Sequence, residues 1–148
     1  MIVHAWTVLC SRALIDKDTN NVSLFEVIEQ IHVEDWRDRP GLAVLPLELV
    51  SLWTRADLDS PSRGEARTLF RNPTGDTMAT QTNQVDLTVY KRLRNRGQLP
   101  ALPIDRPGLH WFVIECRQQG SDDWQEVSRL PLEVQVGTTA DTSRVTAP

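Results

Sequence analysis

The chain has 148 residues, a length typical of one domain that buries enough surface to fold without disulfides or bound metal. Hydrophobic residues make up 40% and charged residues 24%, which excludes a disordered, collagen-like or coiled-coil protein. The net charge of −4 disfavours nucleic acid as the main partner, and no apolar run is long enough to cross a membrane.

Alternating apolar residues predict β-strands in the first part of the chain. Residues 2–11 alternate with two largely apolar faces, which is typical of a strand buried on both sides. Turn-forming residues over 16–21 then predict a hairpin connection to a second strand over 22–33. A helix over 22–33 is the alternative, but its β-branched residues favour the strand. One face of the first strand is expected to comprise Ile2, His4, Trp6, Val8 and Cys10.

The middle of the chain is predicted to contain three more strands. A charged loop over 34–41 precedes a long apolar strand over 42–55. Its alternation places Leu47, Leu49, Ser51 and Trp53 on one face. Strands are also predicted over 65–71 and 76–91, separated by the strong turn signal Asn72-Pro73-Thr74-Gly75.

The last third is predicted to contain a long loop, two strands and a tail. Residues 92–108 are rich in basic side chains, prolines and glycines, so we expect a loop there. The most apolar strand is predicted over 109–116, and a turn at Gly120 leads to the last strand over 124–136. Small and polar residues dominate 137–148, which is expected to be a flexible tail.

These elements together predict an all-β fold. Short strands with regular turn signals and several apolar faces indicate a two-sheet antiparallel β-sandwich of seven to eight strands, with immunoglobulin-like or similar topology. We expect one sandwich domain over 1–136 and a flexible tail over 137–148.

Five short segments occur along the chain in a characteristic order. They are Ala-Trp-Thr-Val-Leu-Cys at 5–10, the turn at 18–21, the strand at 22–28, Pro-Gly-Leu-His-Trp-Phe at 107–112, and Leu-Pro-Leu-Glu-Val at 130–134. In this order the chain, from residue 2 to about 136, resembles a small family of uncharacterised bacterial β-sandwich proteins of unknown function. The resemblance implies a sandwich and assigns no catalytic or binding residue.

Histidines and cysteines suggest a metal site, but their spacing disfavours it. His4 and Cys10 lie six residues apart, as do His110 and Cys116. Six residues of strand span about 20 Å, so the two members of a pair cannot hold one ion. Adjacent antiparallel strands would bring only two ligands together, fewer than zinc requires. We therefore expect buried cysteines that behave as small hydrophobic residues, with no metal and no cofactor.

A possible calcium loop lies in the first turn. Asp16, Asp18 and Asn20 copy the first ligand positions of an EF-hand loop. Asn21 in place of glycine and Val27 in place of the bidentate glutamate break the match. The simpler interpretation is that these side chains hydrogen-bond to the backbone of their own turn.

Positive charge is concentrated between Lys91 and Arg96. In an extended chain Arg92, Arg94 and Arg96 would point the same way and could dock an anionic partner. Tyr90 would offer a stacking face beside them. A solvated loop without a partner is the alternative interpretation.

Two tryptophans are candidates for an exposed binding anchor. Trp36 stands beside Arg37 in a charged loop, and Trp124 follows two aspartates at a turn. Exposed aromatic residues of this kind anchor protein partners or sugar rings. The alternative for Trp36 is that it folds back to cover one end of the sandwich. The other three lie in apolar runs and are expected in the core: Trp6, Trp53 and Trp111.

No enzyme class is indicated, because the sequence lacks a nucleophile elbow, a phosphate loop and a dinucleotide fingerprint. We expect a non-enzymatic module that binds a protein partner or self-associates. A module that binds sugars or calcium at its loop ends is the alternative. Two cysteines do not describe a secreted disulfide scaffold, and the first residues do not resemble a signal peptide, so we expect a cytoplasmic protein.

Overall fold

The structure is a computed structural model that describes residues 1–33 and 43–137, with side chains of the fourth strand described from Leu47 onward. The described residues form nine β-strands and no helix. The all-β prediction is therefore confirmed. The strands are β1 (Ile2–Ile15), β2 (Val22–Val27), β3 (Gln30–Val33), β4 (Ala43–Arg55), β5 (Ser62–Arg71), β6 (Thr77–Leu87), β7 (Arg92–Leu102), β8 (Gly108–Gln118) and β9 (Gln125–Val136).

The strands form two sheets. The first contains four strands in the order β2-β1-β4-β7, and the second contains five in the order β3-β9-β8-β5-β6. The second sheet is strongly curled. Neighbouring strands are antiparallel except β3 and β9, which are parallel. The prediction of two sheets is confirmed, whereas a purely antiparallel pairing of seven to eight strands is wrong.

One extra strand arises because the predicted strand over 22–33 is broken. Glu26 has a φ of 51°, a left-handed conformation that an ordinary side chain rarely adopts. After this irregularity the chain leaves the first sheet, and β3 pairs with β9 in the second. Residues 22–33 therefore supply one strand to each sheet.

The other extra strand is β7, where a loop was predicted over 92–108. Residues 92–102 pair with β4, from Arg92 opposite Thr54 to Leu102 opposite Ala43. Pro100 fits in this strand because β7 is a sheet edge, where a missing backbone N–H need not break a ladder. The prolines and glycines of 92–108 predicted a loop, but most of this range, 92–102, is therefore an edge strand.

The main core lies between the two sheets. Trp53 and Leu49 of the first sheet belong to the same buried cluster as Phe112 and Leu132 of the second. Burial of each large apolar side chain contributes about 1.5–3 kcal/mol, so this cluster is the main source of stability. The predicted inward face of β4 is confirmed for Leu47, Leu49 and Trp53.

A register shift in β1 changes which side chains face this core. The pairing of β1 with β4 is irregular between His4 and Trp6. Ile2 and Leu9 consequently face the core, whereas Trp6 and Cys10 pack on the opposite side of the sheet. The prediction that Ile2, His4, Trp6, Val8 and Cys10 share one face is wrong, because a bulge reverses the alternation.

Only one of the three tryptophans expected in the core lies there. Trp53 is 1% exposed. Trp6 is half-buried on the outer face of the first sheet. Trp111 is half-buried beneath the guanidinium of Arg129, which is 5.5 Å from the ring centroid. The apolar neighbours of these tryptophans in the sequence did not indicate whether each ring lies on the inner or the outer face of its sheet.

A candidate binding groove

The outer face of the first sheet carries side chains in rows across its strands. Trp6 of β1 lies opposite Leu52 of β4, and Leu52 lies opposite Arg94 of β7. In the next row towards the start of β7, Thr54 lies opposite Arg92. Cross-strand partners point to the same face. An indole, an aliphatic side chain and two guanidinium groups therefore share this surface.

The hairpin of β1 and β2 bends back over these rows. The carbonyl of Asn20 accepts a hydrogen bond from Nη2 of Arg94 at 3.0 Å. A straight β1 would carry Ile15 about 30 Å from Trp6, which an arginine side chain cannot bridge. The turn at 16–21 therefore lies above the outer face, on the same side of the sheet as the small buried cluster of Cys10, Ala13 and Val50.

A second hydrogen-bonded connection fixes the hairpin in this position. Nη2 of Arg96 donates to the carbonyl of Ala13 at 2.9 Å and to Oε1 of Glu48 at 2.8 Å. Oε2 of Glu48 accepts the N–H of Ala13 at 2.6 Å. Backbone pairing of β1 with β4 ends at Cys10 and Glu48. Beyond this point the side chains of Glu48 and Arg96 make the hydrogen bonds to Ala13 that a paired strand would make. Arg96 is a predicted site residue, but its guanidinium group is used in these structural hydrogen bonds.

A groove remains between the tip of the hairpin and the sheet. Its volume is about 420 Å³. Trp6 and Leu52 form an apolar part of the lining, and Arg92 and Arg94 form a basic part. The turn supplies polar groups on the other side. The remaining lining residues are Thr19, Asn20, Asn21 and Val22.

The basic side of this groove has charge available for a ligand. Arg92 is exposed and forms no ion pair with any acidic residue among those described. Nε of Arg94 is buried and has no hydrogen-bond partner within the described structure. A guanidinium group presents paired donors that match a carboxylate or a phosphate. The groove can therefore hold an anionic group next to an aromatic surface.

The structure separates the predicted site residues. Arg92 and Arg94 line the groove together, as their alternation predicted. Tyr90 is 69% exposed in the turn between β6 and β7, two residues before Arg92. Trp36 and Arg37 lie outside the described residues.

Trp124 is not a free anchor. Its ring is flanked by the guanidinium carbons of Arg67 at 4.3 Å and of Arg117 at 4.6 Å from the centroid. Both arginines also form ion pairs, with Glu115 and Glu65 respectively. The indole is half-buried and belongs to a charged layer on the outer face of the second sheet.

A larger hollow of about 580 Å³ lies at the end of the second sheet. Its charged side chains are paired with one another. Arg63 contacts Asp86 at 3.0 Å, and Arg117 contacts Glu65. Amides and a hydroxyl complete its lining through Gln84, Gln118, Gln119 and Ser121. This surface suits a neutral polar ligand better than an ion.

The cysteines and the first turn follow the simpler interpretations. Cys10 and Cys116 are free and buried in different clusters, and burial raises the pKa of both thiols. Oδ1 of Asp16 accepts hydrogen bonds from the N–H of Asp18 at 2.9 Å and of Thr19 at 2.8 Å, so it builds its own turn. Within 1–33 and 43–137 no three histidine, cysteine or acidic residues are grouped as metal ligands.

Sequence reasoning missed the apolar part of the groove. Trp6 was assigned to the core because its neighbours are apolar, and Leu52 gave no separate signal. Only the polar composition of 16–21 and the basic alternation of 92–96 were visible in the sequence. The bulge and the bent hairpin bring these elements together, and neither has a local sequence signature.

The sequence matches no model of a known protein family. It also matches no curated protein at a significant level. In the described part of the chain, no helix is long and apolar enough to span a membrane.

Proposed function

We propose that this chain is a non-enzymatic binding module whose groove holds an acidic segment of a partner protein. The observation that carries the proposal is the position of Arg92 and Arg94 beside Trp6, with Arg92 free of any described acidic partner. The guanidinium groups would bind carboxylates, and the indole would pack against an apolar side chain of the same segment.

The chemistry of the groove indicates a weak and salt-dependent interaction. An exposed ion pair contributes at most about 1 kcal/mol, so contact with the indole must supply much of the affinity. The expected dissociation constant is in the range of about 10–1000 µM. Affinity should fall as salt is added, because exposed charges are screened.

Fluorescence anisotropy of a short labelled peptide tests the proposal. The probe has a phenylalanine flanked by glutamates, and its matched control has lysines in place of the glutamates. We expect the acidic peptide to bind, the basic peptide not to bind, and Arg92→Gln to weaken binding about two- to fivefold. Arg106→Gln is the control variant, because Arg106 is similarly exposed and lies outside the groove. Equal binding by Arg92→Gln and wild type would contradict the proposal.

Sugar binding is a second candidate function, supported by the hollow lined by Gln84, Gln118 and Ser121. Its side chains offer both donors and acceptors to hydroxyl groups. A rise in melting temperature with neutral oligosaccharides, lost in Gln84→Ala, would support it. Calcium binding at the first turn has less support, since Oδ1 of Asp16 already accepts three hydrogen bonds.

Three broader proposals accompany this function. The shared core cluster supports a β-sandwich with immunoglobulin-like or similar topology. The order of strand and turn segments supports membership of the small bacterial family that the sequence resembles. Two free thiols support a cytoplasmic location, where reducing conditions prevail. An experimental structure tests the sandwich topology, and localisation of a tagged chain tests the cytoplasmic location.

A further inference from the structure

The outer edge of β6 is a long stretch of strand without charge. Among the described strands β6 pairs only with β5, so its other edge has no strand partner. Residues 77–85 contain no charged side chain, no proline and no glycine, and 79–84 are exposed on both faces. Such an edge is a template for pairing with another strand.

The other three sheet edges carry features that oppose pairing. β2 has six residues, one of them Glu26 in a left-handed conformation, and β3 has only four. β7 carries the three arginines of the basic cluster as well as Pro100. Short length, backbone irregularity, charge and proline are the usual means by which proteins block edge pairing. β6 lacks them over most of its length.

We propose that β6 pairs antiparallel with β6 of a second copy of this chain across a two-fold axis. A second copy is the occupant that the strand itself favours, because an uncharged antiparallel edge is complementary to its own copy. The pair would join two five-stranded sheets into one continuous sheet. No residue of the groove takes part, so the pairing is independent of the proposed peptide binding.

Charge and side-chain chemistry select the register. An axis at Gln81 would place Asp76 opposite Asp86 of the second copy, twice, and like charges directly opposite each other are unfavourable. An axis at Thr82 avoids this contact. It places Gln81 opposite Asn83, and Thr80 opposite Gln84.

The axis at Thr82 also has favourable partners at its centre. The two copies of Thr82 would face each other, and opposed threonines are among the stabilising cross-strand pairs. Thr82 is exposed and has an intact pairing with Arg67 on the β5 side. A charge introduced at this position would therefore meet its own copy without disturbing the core.

Sedimentation velocity of the full chain across about 1–500 µM tests the proposal. We expect the wild type to convert from monomer to dimer, and Thr82→Lys to raise the dissociation constant at least about tenfold. Ser23→Lys, an exposed change on the edge strand β2, is the matched control and should leave the dimer unchanged. Circular dichroism and thermal unfolding of each variant establish that it is folded.

A mixture of Thr82→Lys and Thr82→Glu provides the complementary experiment. Lysine opposite glutamate should restore a mixed dimer, whereas each variant alone should dimerise more weakly than the wild type. A wild type that stays monomeric over the whole range would overturn the proposal. A dimer dissociation constant that is unchanged in Thr82→Lys, or that rises as much in Ser23→Lys, would also overturn it. None of these results depends on whether the acidic peptide binds.

Discussion

Glu48 and Arg96 form an ion pair that also closes a gap in the first sheet. Glu48 accepts the N–H of Ala13, and Arg96 donates to the carbonyl of the same residue. The two side chains thus supply the donor and the acceptor that a neighbouring strand would offer. They hold the bent hairpin that forms one side of the groove.

Replacing Glu48 should destabilise the protein more than breaking an exposed ion pair. The side chain of Glu48 is 7% exposed, so Glu48→Ala leaves the N–H of Ala13 without its acceptor and leaves Arg96 with only the carbonyl of Ala13 as a partner. We expect a loss of about 2–4 kcal/mol in the free energy of unfolding, measured by urea denaturation. The pair of Arg63 and Asp86, with both side chains 50% exposed, is the control, and Arg63→Ala should cost less than about 1 kcal/mol. Equal losses would contradict the structural role of Glu48.

Acid should destabilise the fold through His4. Burial lowers the pKa of His4, whose Nε2 lies 2.7 Å from Oγ1 of Thr7. The unfolded chain therefore takes up a proton near pH 6.5, whereas the folded chain resists it until the pH is lower. The free energy of unfolding should fall as the pH drops below about 6.5, and less steeply in His4→Gln. His110, whose pKa is also lowered by burial, should retain its own share of the dependence in that variant. An identical slope in both proteins would exclude this role of His4.

Trp124 should contribute to stability without contributing to peptide binding. Stacking of two guanidinium groups on an accessible indole is worth about 0.5–1 kcal/mol for each group. Trp124→Ala should therefore lower the free energy of unfolding by about 1–2 kcal/mol and leave the affinity for the acidic peptide unchanged. Thermal unfolding and the anisotropy measurement check the two parts. A lower affinity for the acidic peptide in a folded Trp124→Ala variant would show that Trp124 does contribute to binding.

Gly64 of β5 is required by close packing against both the neighbouring strand β8 and Ile2 of the other sheet. A Cβ atom at this position would lie 2.4 Å from the carbonyl oxygen of Arg117 and 2.5 Å from Cδ1 of Ile2. Gly64→Ala should therefore cost about 1–3 kcal/mol by overpacking. At Gly97 the nearest atom to an added Cβ, the carbonyl oxygen of Leu49, is 3.7 Å away, so Gly97→Ala should change stability by less than about 1 kcal/mol. Similar effects of the two substitutions on urea denaturation would contradict this packing.

Local chemistry predicted most of the strands and most of their turns, but it gave β7 as a loop and β2 and β3 as one strand. The Asn72–Gly75 signal forms the turn between β5 and β6, where the N–H of Gly75 donates to the carbonyl of Asn72 at 2.9 Å. The hairpin at 16–21 and the turn at Gly120 were predicted for the same reason, since turn residues act within a few positions of one another. Long-range pairing is different, because β3 joins β9 more than a hundred positions away and leaves no local pattern.

The candidate site was predicted in part. Alternation placed Arg92 and Arg94 on one face, because that depends only on the geometry of an extended chain. Their neighbours Trp6 and Leu52 come from strands that are adjacent only in the folded sheet. The structural use of Arg96 depends on Glu48, which is 48 positions away.

The amino-acid sequence by itself determined the β-class of this protein, the positions of its hairpin turns and the direction in which its basic side chains point. Each of these depends on the period of two in an extended chain and on the conformations that a few residues allow. Only the tertiary structure decided which face of β1 is buried, because one bulge between His4 and Trp6 reverses it. Tertiary contacts also decided that the hairpin bends over the sheet, since a groove is formed by elements that no local rule brings together.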